Sequence, residues 1–237
     1  MLITESAISG KETKSAMEKR LLAIFDMLLH QYGPLSWWPA DTPFEVCVGA
    51  ILTQNTNWGN VEKAIEKLKE ENLLSPKALQ EVPIGRLAEF IRPAGYFNVK
   101  SGRLKDFIDW LFREYDGSLE RLFSEEWGQL RGKLLNVRGI GPETADSILL
   151  YAGQKPSFVV DAYTKRFLSR LGLLREYSPY EEVRALFMEN LPADVQLFNE
   201  YHALIVQHCK EFCRKKPLCG QCPLHRICEF SLYGNKP

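Results

Sequence analysis

The chain has 237 residues, 45% hydrophobic and 25% charged, and its 30 Lys and Arg balance 30 Asp and Glu. That composition supports a sizeable core and one or two domains, and no apolar run reaches the length that spans a bilayer, so no membrane partner is expected. The N-terminal MLITESAISGKETK lacks a basic start leading into an apolar stretch, so no export signal is expected and the chain reads as cytoplasmic. A net charge of zero gives no overall basic excess of the kind that phosphate binding usually leaves, although a local basic face can hide within it.

Taken in chain order, helical periodicity predicts helices over about 15–32, 43–56, 58–71, 75–81, 98–114, 118–126, 127–137, 142–153, 162–173, 179–190 and 195–208, with strand alternation nearly absent. The expected fold class is all-α. Ser75-Pro76 and Ser178-Pro179 each put a capping hydroxyl before a first-turn proline, and Glu181 completes a capping box with Ser178. Cys47 lies in the apolar run FEVCVGAIL and reads as a small core residue.

The stretch 133-KLLNVRGIGPETADSILLYA-152 reads as helix, tight turn, helix. Gly139 and Gly141 permit positive φ and close approach of another backbone, and Pro142 suits a first helical turn. Amides of residues 141 to 144 then point outward at the positive end of the second helix, a site for an anion such as a phosphodiester. A plain helical hairpin with glycines only tightening its turn fits the same residues. Farther on, 159-VVDAYTKRF-167 places Asp161 as the N-cap of the next helix.

Near the C-terminus, Cys213-x5-Cys219-x2-Cys222-x5-Cys228 offers four thiolates, which suit zinc or an iron–sulfur cluster without choosing between them. Arg214, Lys215, Lys216 and Arg226 lie among them, a local positive charge facing phosphates.

The combination L-x-x-V-x-G-I-G followed about twenty residues later by V-V-D at a helix start resembles the helix-hairpin-helix DNA glycosylases, the endonuclease III superfamily. There the hairpin grips the DNA backbone and the aspartate faces the sugar of a flipped-out nucleotide, which implies double-stranded DNA with a damaged base as partner. By the same resemblance Gly139, Gly141, Pro142 and Thr144 contact DNA, and Asp161 is catalytic. KKPLCGQCPL looks like the ligand segment of that superfamily's [4Fe-4S] loop. Cys213, Cys219, Cys222 and Cys228 are then the ligands and Cys209 a spare thiol, although the first gap is five residues where six is common. Gln54 is expected to fill the gap left by the flipped nucleotide, and Tyr96 to wedge beside the opposite base.

Bifunctional members carry a Schiff-base lysine two residues beyond the second glycine; this chain has Glu143, which cannot form the imine. A strong lyase activity is therefore not expected, although Lys133 or Lys165 could supply a weak one. Over roughly residues 35 to 175 the chain looks most like the bacterial 3-methyladenine DNA glycosylases, sharing W-W-P, G-A-I-L-T-Q-N-T followed by an aromatic, G-I-G-x-E and V-V-D. That likeness puts Trp37, Trp38, Pro39, Trp58 and Glu143 in a base pocket, where tryptophan faces favour a cationic alkylpurine by about 0.5–2 kcal/mol. A lysine from a late helix faces the pocket in that subfamily, and the matching residue here is Leu204. The best-known members of that subfamily lack the metal loop.

The sequence reading is thus a monomer with a six-helix domain at about 42–156 and a second helical domain from 1–41 and 157–237, with a DNA-binding cleft between them. The expected activity is base excision of alkylated purines without strand cleavage. The alternatives are an endonuclease III-like glycosylase and lyase for oxidised pyrimidines, a mismatch glycosylase, and a non-catalytic DNA-binding iron–sulfur protein.

Overall fold

The structure, a computed structural model, describes residues 14–35 and 40–234, and the described residues contain helices and turns but no strand. The helices are α1 (Lys14–Tyr32), α2 (Pro43–Leu52), α3 (Trp58–Glu70), α4 (Pro76–Glu81), α5 (Ile84–Phe90), α6 (Phe97–Tyr115), α7 (Leu119–Ser124), α8 (Trp127–Leu135), α9 (Pro142–Ser147), α10 (Ala162–Arg170), α11 (Tyr180–Asn190), α12 (Val195–Glu211) and α13 (Glu229–Tyr233).

α2 is apolar all round and is buried from Phe44 through Leu52, as expected of a helix at the centre of a core. It packs on α3, α6 and α9. α3 buries Val61, Ala64, Ile65 and Leu68, the i, i+3, i+4, i+7 stripe of an amphipathic helix. A second set of contacts joins α1 to α11 and α12, and α10 to α12 and α13. The stretch Ile148–Ala152 continues α9 as a wider π turn, is buried throughout, and touches both α2 and α12. No helix among the described residues is long and apolar enough to cross a membrane.

Several local expectations change. The helix expected over 43–56 stops at Leu52, whose carbonyl accepts a hydrogen bond from the buried Lys100 ammonium at 2.8 Å. Asn55 then takes a left-handed φ of 55°, so Gln54 lies on a loop. Ser75 caps α4, accepting from the Ala78 amide at 3.2 Å, but Ser178 does not cap α11. Its side chain is buried, Pro179 occupies the N-cap position, and Glu181 pairs with Arg131 at 2.7 Å. Between residues 42 and 156 there are eight α-helices, α2 to α9, against the six of the expected domain. α5 and α13 were not predicted: seven and five residues long, they give periodicity too little length to register.

Candidate active site

A cleft of about 960 Å³ is lined by the loop after α2, the hairpin between α8 and α9, the extended run before α10, and one face of α12. The hairpin forms because of Gly139. Its φ is +86°, and a Cβ there would lie 2.4 Å from Arg103 Cγ. Gly141 behaves differently from expectation: its φ is −93°, it is extended, and a Cβ would meet open space. Its role is therefore not conformational; it leaves the surface bare before the N-terminus of α9, where no side chain caps the amides.

Gln54 ties the α2 loop to the hairpin. Its amide nitrogen donates to the Gly139 carbonyl and the Thr144 hydroxyl, both at 2.9 Å, and Arg103 donates to its amide oxygen. Thr144 is buried, so its hydroxyl faces Gln54 rather than solvent. Pro142 begins α9 and lines the cleft.

Asp161 caps α10. Its Oδ1 accepts from the Thr164 amide at 2.7 Å and the Thr164 hydroxyl at 2.9 Å. Its Oδ2 lies 3.7 Å from His202 Nε2 on α12. Burial works to raise the Asp161 pKa, but His202 and the Thr164 donors outweigh it and hold the carboxyl below its usual value. Glu143 sits in the same cleft. Although exposed at the rim, it is crowded enough that burial, with the Asp161 charge second, pushes its carboxyl up to about 7. The two acids thus differ in kind: one is an anion near neutral pH, the other part-protonated.

Trp58 lies on the cleft wall with its indole N–H donating to Glu62 at 2.7 Å. Trp37, Trp38 and Pro39 lie outside the described residues. Tyr96 is not on the cleft wall; it is 71% exposed at the turn before α6, with a left-handed φ of 46°. Lys100 connects that turn to the cleft loop, donating to the carbonyls of Leu52 at 2.8 Å and Ala94 at 2.7 Å. Neither Lys133 nor Lys165 lines the cleft: Lys133 pairs with Glu125 and Lys165 donates to the Ser178 carbonyl at 3.0 Å.

Leu204 is a correction. It is fully buried in the core, and the α12 residues on the cleft are His202, Val206 and Lys210. Their i, i+4, i+8 spacing was a legible stripe, but only its helical register shows which way it faces. Tyr163 and Tyr180 also line the cleft and were missed. Tyr180 donates to Asp146 Oδ2 at 2.8 Å, at the edge of a buried network. Asp146 is fully buried, receives two hydrogen bonds from Arg131 at 2.8 and 2.9 Å, and also binds the Ser157 hydroxyl. Arg184 of α11 donates to Ser157 at 2.9 Å and lies 3.4 Å from Asp146. This network fastens the hairpin helix to the chain that carries Asp161.

The four predicted cysteines converge. Cys213, Cys219, Cys222 and Cys228 line one small cavity with Phe167, His208, Leu224 and Phe230. Arg170 donates to Cys213 Sγ at 3.3 Å. Cys209 does not line that cavity but is buried next to it, its thiol beside that of Cys213 and 3.6 Å from the Tyr163 carbonyl. Among the described residues, no group of three or more His, Cys, Asp or Glu is spaced to hold one metal ion.

Comparison with known proteins fits this geometry. A Methanocaldococcus jannaschii protein, provisionally named a DNA repair glycosylase, is 50% identical over 92% of this chain and 98% of its own length. Endonuclease III of Thermotoga maritima is 30% identical over 79% of this chain and 83% of its own length. The crystal structure of H. pylori 3-methyladenine DNA glycosylase bound to 1,N6-ethenoadenine is 31% identical, with a TM-score of 0.71 over 84% of this chain and 98% of that one. Residues 48–193 match the HhH-GPD superfamily of base excision DNA repair proteins, and the chain belongs to that superfamily as a DNA glycosylase.

Proposed function

We propose that this glycosylase removes alkylated purines of the 3-methyladenine type and leaves the abasic strand uncut. The observation that carries this reading is Glu143 in the cleft with Asp161, where a lysine nucleophile would be needed for strand cleavage. The base flips into the cleft against Trp58 while the hairpin amides and the bare surface at Gly141 hold the backbone phosphates. Asp161 stays ionised and stabilises the cationic sugar that develops as the glycosidic bond breaks. An alkylated purine is already a good leaving group, so stacking and one fixed carboxylate suffice. The likeness to the H. pylori enzyme supports the same substrate class.

The two sets of packed helices act as two domains with the cleft between them, and the protein works as a cytoplasmic monomer on double-stranded DNA. Cys213, Cys219, Cys222 and Cys228 would hold a [4Fe-4S] cluster, which when bound serves to order the loop carrying Arg214, Lys215 and Lys216 toward DNA. Gln54 and Tyr96 enter the duplex at the flipped site. Gln54 must first leave Gly139 and Thr144, so its insertion is coupled to movement of the hairpin.

The likeness to endonuclease III favours a second reading, removal of oxidised pyrimidines with strand cleavage. End-labelled duplexes carrying either an alkylated purine or an oxidised pyrimidine, read with and without hot alkali, separate the two. Breaks on the alkylated duplex only after alkali are expected. Breaks without alkali, or release of oxidised pyrimidine alone, would replace our reading with the second one. Asp161→Asn should keep DNA binding and lose turnover by about 10²–10³-fold; turnover at the wild-type rate would point to a different catalytic residue.

A further inference from the structure

Lys100 is a charged side chain sealed inside the protein. It is 1% exposed, and among the described residues no carboxylate pairs with it. Its ammonium donates instead to the Leu52 carbonyl at 2.8 Å and the Ala94 carbonyl at 2.7 Å. Burial, with the Arg103 charge second, lowers its pKa to about 8, so the group is still mostly charged at neutral pH. A buried charge without an opposite charge is costly, and an apolar side chain of similar length fills the same space without that cost. What an apolar side chain cannot do is join two carbonyls from separate segments.

Those carbonyls lie at matching places in the chain. Leu52 ends α2, where a helix leaves its last carbonyls unpaired at its negative end, and Gln54 follows two residues later. Ala94 ends a single 3-10 turn, Arg92–Ala94, and Tyr96 follows two residues later. Gly95 and Tyr96 both take positive φ, 68° and 46°. For a tyrosine that conformation is unfavourable, and it persists only where the surroundings fix it. Lys100 fixes both sides of Tyr96: its amide donates to the Tyr96 carbonyl at 2.9 Å while its ammonium holds Ala94. One turn farther along α6, Arg103 donates to the Gln54 side chain. The start of α6 therefore carries the Tyr96 backbone and grips the Gln54 loop as well.

We propose that Lys100 is a positioning residue for base flipping: holding the Leu52 and Ala94 carbonyls on one ammonium, it fixes the spacing between Gln54 and Tyr96 so that the two enter the duplex as a unit. This rests on the reading of Gln54 and Tyr96 as the side chains that enter DNA. When the Gln54 amide leaves Gly139 and Thr144, its side chain turns while the clamped backbone behind it stays in place. Tyr96 is 71% exposed on a backbone held from both sides, so it meets DNA already shaped as a wedge. The gap is then filled and the opposite base wedged at a set separation, which together offset the unstacking of the flipped nucleotide.

The test needs no base release. A duplex carries a tetrahydrofuran abasic site with 2-aminopurine opposite it, whose fluorescence reports the stacking of the base that Gln54 and Tyr96 address. Saturating wild-type protein should change that signal. Lys100→Met fills the space but cannot bind the carbonyls, and should lose most of the change at saturation. Its affinity for an undamaged duplex should stay within about twofold, because the buried Lys100 reaches no phosphate. A role in stability alone would require more protein yet reach the wild-type endpoint, and that result would overturn the proposal. If Lys100→Met melts below the assay temperature by circular dichroism, Lys100→Gln, a shorter donor, replaces it and should lose part of the change.

Gln54→Ala and Tyr96→Ala complete the set. Each should diminish the signal, and the double variant should lose no more than the worse of the two. Independent, additive losses would sink the shared mount whether or not a Lys100 variant folds. A wild-type signal in both single variants would instead refute the entry of those side chains into DNA, and the proposal with it.

Discussion

Glu143 and Asp161 are carboxylates in one cleft with opposite displacements, and the difference comes from what each accepts. Asp161 takes two donors from Thr164 and faces His202, whereas Glu143 has burial and a like charge against it. The raised Glu143 carboxyl makes the folded state bind a proton that the unfolded chain releases. Stability should therefore fall as pH rises from the ordinary glutamate value of 4.5 to about 7. Water at the rim screens part of this effect. Relative to wild type, Glu143→Gln should gain more in Tm at pH 8 than at pH 5, as rough test points either side of that window. Thermal melts showing a constant difference across that range would contradict burial and the Asp161 charge as the cause of the shift. Asp161 was legible from sequence as a cap after an apolar run; the pKa of Glu143 was not, because it depends first on burial in the cleft and then on the charge of a residue eighteen positions away in the chain.

At the scale of elements, the hairpin separates two glycines that looked equivalent. Gly139 needs its positive φ and its missing Cβ, so Gly139→Ala should cost about 1–3 kcal/mol and loosen the clasp from Gln54 and Arg103. Gly141→Ala meets open space at an extended backbone, so the melt should stay within about 0.5 kcal/mol while DNA affinity falls. Calorimetry paired with DNA titration checks both; an equal loss of stability in the two variants would show the distinction to be mistaken. α12 behaves similarly. Its polar His202 and Lys210 read as ordinary helix residues until the packing of α1 and α10 against the same helix fixes which stripe faces the cleft.

Across the whole molecule, the Asp146 network holds the hairpin to the segment bearing Asp161. Replacing Asp146 by Asn leaves the largely buried Arg131 and Arg184 with only the exposed Glu181 carboxylate as counter-charge. The expected cost is about 3–5 kcal/mol, with base release falling further than DNA binding. Chemical denaturation read beside single-turnover rates tests this, and an unchanged midpoint would show that the network does not hold the fold together. The cysteine cavity makes a separate prediction. Protein purified without oxygen should be brown with absorbance near roughly 400 nm, and Cys219→Ala should lose that band and its iron. A colourless protein containing one zinc would contradict the cluster.

The sequence by itself determined the helical class, the glycine turn, the cap at Asp161, and the grouping of four cysteines near one end of the chain. Each of these rests on residues a few positions apart, where helix periodicity and backbone sterics act directly. Only the tertiary structure decided that His202 and not Leu204 faces the cleft, that Gln54 is already bonded to the hairpin, and that Asp146 is the buried joint beneath it. These are contacts between distant segments, set by how helices pack and by the need of each buried polar group for a partner, and local pattern carries neither.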